Sequence, residues 1–213
     1  MPISPTILPE LIDAIADTIN ANADEITKLD QAIGDGDHVY NLQRGLDGLL
    51  KQKDELAQMD WVAAWQKIGM TLMSTIGGAS GSLFGTLFVA MSKAGRNQEI
   101  NLQSFAEIFL QGVESVKKRG RVEVGEKTMV DVLVPVALSL QESAAKSAPL
   151  PDVLNKVKST AIAGMESTRD MIATKGRASF LGERTKGHID AGAKTTQLMI
   201  CTIADVIGAH SDS

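Results

Sequence analysis

The chain reads as an all-α domain of roughly eight helices joined by short loops, and three observations carry that expectation. Apolar residues recur at helical spacing along nearly the whole length. No run shows convincing period-two alternation. Of the 213 residues, 44% are hydrophobic but only 4% aromatic, so small and aliphatic side chains must do the packing. That composition suits closely approaching helices better than a β-sandwich.

The elements follow in chain order. Leu8, Leu11, Ile12, Ile15 and Ile19 form one stripe, and Trp61, Trp65, Ile68 and Leu72 form another. Phe105, Ile108, Phe109, Gly112, Val113 and Val116 repeat the pattern, as do Met129, Val132, Leu133, Val136 and Leu140. Val153, Val157, Ala161 and Gly164 mark a long helix, and Met199, Ile203 and Val206 mark the last. No internal repeat is visible. The segment SAAKSAPLPD (143–152) reads as a loop between helices, because a helical stripe resumes at once. One domain over residues 1–213 is expected.

Composition narrows the function. A net charge of −5 without a long basic run argues against a nucleic-acid partner. Cys201 is the only cysteine, which excludes an internal disulfide and fits a reducing compartment. Its neighbours Met199, Ile200 and Ile203 suggest a core filler rather than a nucleophile. MPISPTILPELIDAI carries no positive charge ahead of its apolar residues, unlike a signal peptide. No stretch approaches the roughly 18 apolar residues of a membrane span. A cytoplasmic protein is expected.

The irregular segments are more informative than the helices. GDGDH (34–38), GGASG (77–81), KRGRVEVGEKT (118–128) and KGRASFLGERTKGHIDAG (175–192) each interrupt a helical pattern with glycine and polar groups. In a helical bundle alternate connections lie at the same end, so several of these loops can converge on one site. Asp30, Asp35 and Asp37 crowd one eight-residue window. Oxygen ligands without cysteine favour Mg²⁺, Ca²⁺ or Mn²⁺ over zinc. An EF-hand fails: counting from Asp35, the fifth loop position holds Val39 and the sixth holds Tyr40 instead of glycine. The pattern fits either one or two Mg²⁺ ions held against a polyphosphate, or a solvated turn with Asp30 as a cap.

STIGGASGSLFG leads from glycines toward a helix, with Ser80 or Ser82 suited to begin it. Such a start offers free N–H groups and a positive dipole end to an anion, although small-residue runs also arise where helices pack tightly. Lysine is absent and the spacing is wrong for a Walker A loop. Arg177 and Lys175 flank Gly176, with Arg184 and Lys186 nearby. Cations after a helix need no function, yet an arginine reaching the carboxylates could grip a phosphate bidentately. His38 adjoins Asp37 and is either a ligand contact or an exposed loop residue. His188 is less informative, and His210 falls in what reads as a frayed tail.

Four motifs, LDQAIGDGDHVYNLQRG, TLMSTIGGASGSLFGTLF, RGRVEVGEKTMVDVLVP and KGRASFLGERTKGHIDAGA, resemble in order and spacing the L subunits of bacterial dihydroxyacetone kinases. The resemblance runs from about residue 5 to 208. It implies a barrel of eight antiparallel helices with the nucleotide site in loops at one end. It also implies two Mg²⁺ ions on Asp30, Asp35 and Asp37, catalysis by these aspartates with Arg177, and ADP or ATP contacts at His38, Asn41, Ala79, Ser80, Gly120, Met129, Arg177, Asp190 and Gly192. The implied partners are a K subunit presenting dihydroxyacetone and a phosphodonor protein of the phosphotransferase system; a homodimer is left open. Val39, where glycine is usual, must tolerate a negative φ or strain its loop. Ala191 stands where proline is often seen. The alternatives are an L-type subunit of an ATP-dependent kinase for another small ketose or polyol, and a non-catalytic helical metal-binding interaction protein.

Overall fold

The computed structural model describes residues 4–211, and all regular structure among them is helical. The α-helices are α1 (Leu8–Ala21), α2 (Ala23–Ile33), α3 (His38–Leu50), α4 (Lys53–Leu56), α5 (Trp61–Thr75), α6 (Gly78–Ala94), α7 (Leu102–Gly120), α8 (Val130–Ala145), α9 (Leu150–Ser167) and α10 (Ala191–Ser211). Three 3₁₀ segments (Pro5–Ile7, Thr168–Asp170 and Arg177–Thr185) fill parts of the connections. Met1, Pro2 and Ile3 of the N-terminal stretch lie outside the described residues.

Helices α1, α3, α5, α6, α7, α8, α9 and α10 each pack on the next, and α10 packs back on α1, closing a ring of eight. The expected number is met by these long helices, with α2 against α3 and α10 and the single turn of α4 against α1 as additions. No helix among the described residues is long and apolar enough to cross a membrane.

The apolar stripes turn inward as their spacing requires. Ile19, Ile108, Val113, Val116, Val130 and Leu133 are essentially withdrawn from solvent. Each such side chain contributes roughly 1.5–3 kcal/mol through burial. Trp61 stacks on Trp65, and Phe105 on Phe109, so the few aromatics form a local cluster. Helix starts are capped by the residues that cap best: the Asp60 carboxylate accepts from Ala63 N–H at 2.8 Å, and Asn101 and Ser104 form a reciprocal capping box on α7. Lys117, Lys118 and Arg119 occupy the last turn of α7, where the helix dipole favours cations.

Some local expectations change. The 143–152 loop shrinks to residues 146–149, because α8 and α9 extend into it from both sides. Pro135 lies inside α8 and cannot donate to the Asp131 carbonyl. Gly164 of α9 packs against that carbonyl, at a place where a Cβ would lie 2.5 Å from the oxygen. Cys201 is half-buried and packs against the buried apolar cluster, as a core filler would, and its sulfur also accepts from the Gln197 side-chain N–H at 3.3 Å. His210 belongs to α10 and meets Glu10 of α1 at 2.6 Å, which ties down the end read as frayed.

Helices α5 and α6 approach most closely at Gly69 and Gly85. A Cβ on Gly69 would lie 2.9 Å from both the Gly85 carbonyl oxygen and the Val89 nitrogen. Gly69→Ala therefore meets rigid backbone, and the strain should outweigh the roughly 1 kcal/mol helix-propensity gain of alanine. We expect a net loss of about 1–2 kcal/mol, a drop of roughly 2–8 °C in melting temperature. Gly208→Ala, where a Cβ would meet the Leu154 side chain at an ordinary 3.6 Å, should have the opposite sign. Calorimetric melting of both variants checks this, and an unchanged or higher melting point for Gly69→Ala would contradict the close approach.

Candidate functional site

The connections between α2 and α3, α5 and α6, α7 and α8, and α9 and α10 alternate around the ring with those that leave the opposite end. The four glycine-rich segments lie in these connections and the helix ends that border them, and side chains tie them together. Arg177 from the α9–α10 connection reaches Asp35 in the α2–α3 connection at 2.6 Å. His38 links the start of α3 to Ser80 on α6 and Thr195 on α10. Lys175 pairs with Glu126 of the α7–α8 connection at 3.4 Å.

The three aspartates converge. One carboxylate oxygen from each of Asp30, Asp35 and Asp37 lies within 4.8 Å of the others. Asp30 comes from the last turn of α2, and the chain reverses through Gly36 at φ +78°, a conformation glycine adopts without a Cβ penalty. Asp30 Oδ2 accepts from the His38 backbone N–H at 3.1 Å, so it does cap α3, as the turn reading proposed. Capping engages one oxygen and leaves the other carboxylate atoms of the cluster facing one another. Arg177, three-quarters exposed, places its Nε–H on Asp35 Oδ2 and offsets part of the repulsion. The all-oxygen donor set fits Mg²⁺ or another hard cation.

His38 is not one of those donors, because both ring nitrogens are engaged. Nε2 lies 3.0 Å from Thr195 Oγ1, and Nδ1 lies 3.3 Å from Ser80 Oγ. Thr195 donates its one hydroxyl proton to the Gly192 carbonyl at 3.1 Å, so it accepts from His38 Nε2–H, and Nδ1 accepts from Ser80. Burial lowers the His38 pKa below its ordinary 6.5 despite the neighbouring Asp30, Asp37 and Asp35 carboxylates, and the ring is neutral at pH 7. Val39 lies in the first turn of α3 with a buried side chain and no positive φ, so it fits without strain; Tyr40 points to solvent.

The glycine run begins a helix one residue after Gly77. Neither Ser80 nor Ser82 starts α6, which opens at Gly78 with Gly77 as N-cap and no side-chain cap. Ala79 and Ser80 therefore lie in its first turn, where backbone N–H groups lack helical partners. Asn41 is buried on α3 against Gly77, where a Cβ would come within 2.7 Å of Asn41 Oδ1. Arg177 likewise does not follow an α-helix; it opens a 3₁₀ segment bent at Gly182.

The remaining candidate residues form a second group. Asp190 caps α10 by accepting from Ala193 N–H at 2.7 Å, and Gly192 packs between Asp190 and Met129. Desolvation pushes the Asp190 carboxyl up to about 7, against the lowering effect of the Ala193 N–H. Gly120 ends α7 against Leu83 of α6, and the structure gives it no direct tie to the aspartates. Two further residues were not singled out from sequence. Thr195 is fully buried and orients His38. Asp131 is buried and accepts from Gly125 N–H at 2.5 Å and Thr128 N–H at 2.7 Å, which fixes the α7–α8 turn. Burial raises its pKa. Neither carried a distinguishing sequence signal: Thr195 lies in a run of polar residues from Lys194 to Gln197, and Asp131 lies within the stripe of α8.

Comparison with known proteins identifies the family. A DAK2 domain model matches residues 32–205. The chain is 38% identical over 205 residues to the ADP-binding subunit DhaL of the PEP-dependent dihydroxyacetone kinase of Escherichia coli K12, covering 96% of this chain and 98% of that subunit. It is 37% identical over 198 residues to the ADP-binding subunit DhaL of the PTS-dependent dihydroxyacetone kinase of Lactococcus lactis, covering 93% and 95%. Its fold matches the crystal structure of the C. freundii dihydroxyacetone kinase in complex with AMP-PNP and Mg²⁺, with a TM-score of 0.73 at 22% identity. That match covers 96% of this chain and 34% of the larger kinase. The chain belongs to the DAK2 domain family, among the DhaL-type ADP-binding subunits of dihydroxyacetone kinases.

Proposed function

We propose that this chain is the nucleotide-carrying subunit of a phosphotransferase-linked dihydroxyacetone kinase, a single domain over residues 1–213. The observation that carries the reading is the seating of Arg177 on the Asp30, Asp35 and Asp37 cluster beside the uncapped start of α6. Carboxylates, a guanidinium and free helix N–H groups then share one end of the ring, a combination suited to a polyphosphate with its cations. The names of the DhaL relatives and the AMP-PNP and Mg²⁺ complex of the structural neighbour support ADP as the resident nucleotide.

In this reading Asp30, Asp35 and Asp37 hold two Mg²⁺ ions. The chemistry they supply when bound is charge neutralisation and alignment of phosphoryl oxygens. Arg177 binds phosphate, and Ser80 and Ala79 offer the first-turn N–H groups of α6. His38, kept neutral by burial and held in place by Ser80 and Thr195, orients the phosphate side without adding charge. Asn41, Gly120, Met129, Asp190 and Gly192 contact the rest of the nucleotide. A K subunit presents dihydroxyacetone, a phosphodonor protein of the phosphotransferase system recharges ADP, and the reading implies a cytoplasmic location. The assigned residues concern metal and phosphate, so the hydroxyl nucleophile must be positioned by the partner.

Three outcomes test this reading. A ligand that binds only the native state at a hundred times its Kd adds about 2.7 kcal/mol, so ADP with Mg²⁺ should raise the melting temperature by roughly 5–10 °C. Chelation should remove the increase; a melting curve indifferent to both would refute the nucleotide site.

Arg177→Ala should weaken ADP binding about tenfold to a hundredfold, the typical cost of one charged hydrogen bond. The same change should tighten Mn²⁺ binding measured without nucleotide, because Asp35 no longer shares an oxygen with the guanidinium. Calorimetric titration reads both, and effects of the same sign would count against the arrangement.

With ATP, Mg²⁺ and dihydroxyacetone, the purified chain alone should show no turnover, and a K subunit from the same source should restore it. Sustained turnover by the lone chain would overturn the division of labour.

A further inference from the structure

The largest fully buried side chain among the described residues is a lysine. Lys127, 1% exposed, lies in the α7–α8 connection with its backbone at φ +62°. Its Nζ donates to two main-chain carbonyls, Thr168 at the end of α9 and His188 ahead of α10. Asp190, Asp170 and Asp131 supply favourable charge around it, and Arg169 opposes them. Removing an ammonium from water is costly, and an apolar side chain would fill the space at lower cost. What an apolar side chain cannot do is bond two carbonyls from two separate stretches of chain.

Those bonds lead directly to the candidate nucleotide residues. Thr168 is fully buried, and its Oγ1 accepts from Asp190 N–H at 3.1 Å. Asp190 in turn caps α10, and Gly192 packs on Met129, two residues from Lys127 itself. One cation thus joins the α7–α8 connection to both ends of the α9–α10 connection. The three aspartates themselves come from the end of α2 and the α2–α3 connection, which Lys127 does not touch; only their Arg177 partner lies in the segment that Lys127 ties.

We infer that Lys127 is a positioning residue for the nucleotide: without touching it, Lys127 sets Met129, Asp190 and Gly192 in register with one another. The inference rests on the nucleotide reading above and extends it to a residue with no ligand contact of its own. It distinguishes the carboxylates that hold cations, outside the reach of Lys127, from the nucleotide contacts that Lys127 sets.

The test compares two affinities in the full chain. Lys127→Met keeps the length of the side chain and removes the charge. We expect helical circular dichroism to persist, Mn²⁺ affinity without nucleotide to stay within about twofold, and ADP affinity with Mg²⁺ to fall at least tenfold. A general loss of packing would lower both affinities together, and that result, or unchanged ADP binding, overturns the inference. Converting Lys127→Cys to S-aminoethylcysteine in a Cys201→Ala background restores the ammonium and should restore ADP binding. Should Lys127→Met not fold, Thr168→Val breaks the next link without removing a buried charge, and the same split between ADP and Mn²⁺ is expected. Unaltered ADP affinity in Thr168→Val would equally overturn the inference. An unmodified chain that binds no ADP would instead remove the nucleotide reading itself, so the two failures are distinguishable.

Discussion

Asp30, Asp35 and Asp37 bring carboxylate oxygens within 4.8 Å of one another, and each pair at such a distance repels by close to 1 kcal/mol in water and more where water is excluded. The arrangement of this end of the molecule depends on how that repulsion is relieved. One oxygen of Asp30 is engaged by the His38 N–H, and one oxygen of Asp35 by Arg177. These contacts relieve only part of the negative charge. The remainder is negative charge that a hard cation would neutralise in the proposed reading, where the arginine that relieves it here meets a phosphate.

The ring of helices makes this balance possible. Because each long helix packs on the next in sequence, alternate connections gather at one end. Rigid packing behind them, including the backbone approach at Gly69 and Gly85, lets polar loops be held in place without a dense network of their own. His38 shows how much such a scaffold can specify. Its two ring nitrogens reach different helices, and the Thr195 hydroxyl, committed to the Gly192 carbonyl, decides which nitrogen carries the proton.

Two opposite charges, one near the surface and one buried, divide the work. The aspartates lie near the surface and are partly balanced by an exposed arginine, where water screens the charges. Lys127 is sealed inside and bonded to main-chain carbonyls, so its contacts are permanent features of the fold. The first arrangement suits binding and release. The second suits holding three segments of chain at fixed spacing.

Much was legible before any coordinates. Helical periodicity with few aromatics determined the all-α class, because a 3.6-residue repeat can bury its apolar face only as a helix. The crowding of Asp30, Asp35 and Asp37 and the four glycine-rich interruptions marked the site, since local sequence alone sets which charges are neighbours along the chain. The start of α6 was misplaced, because glycine near serine reads as a loop whether or not a helix forms around it. Thr195, Thr168, Asp131 and Lys127 were not visible at all. Their roles depend on partners far off in sequence, such as Lys127 with His188 and Thr195 with His38. A lysine in a glycine-containing loop ordinarily faces water, and only the closing of the ring, which brings α9 and α10 against the α7–α8 connection, withdraws Lys127 from solvent and supplies the carbonyls that make its burial tolerable.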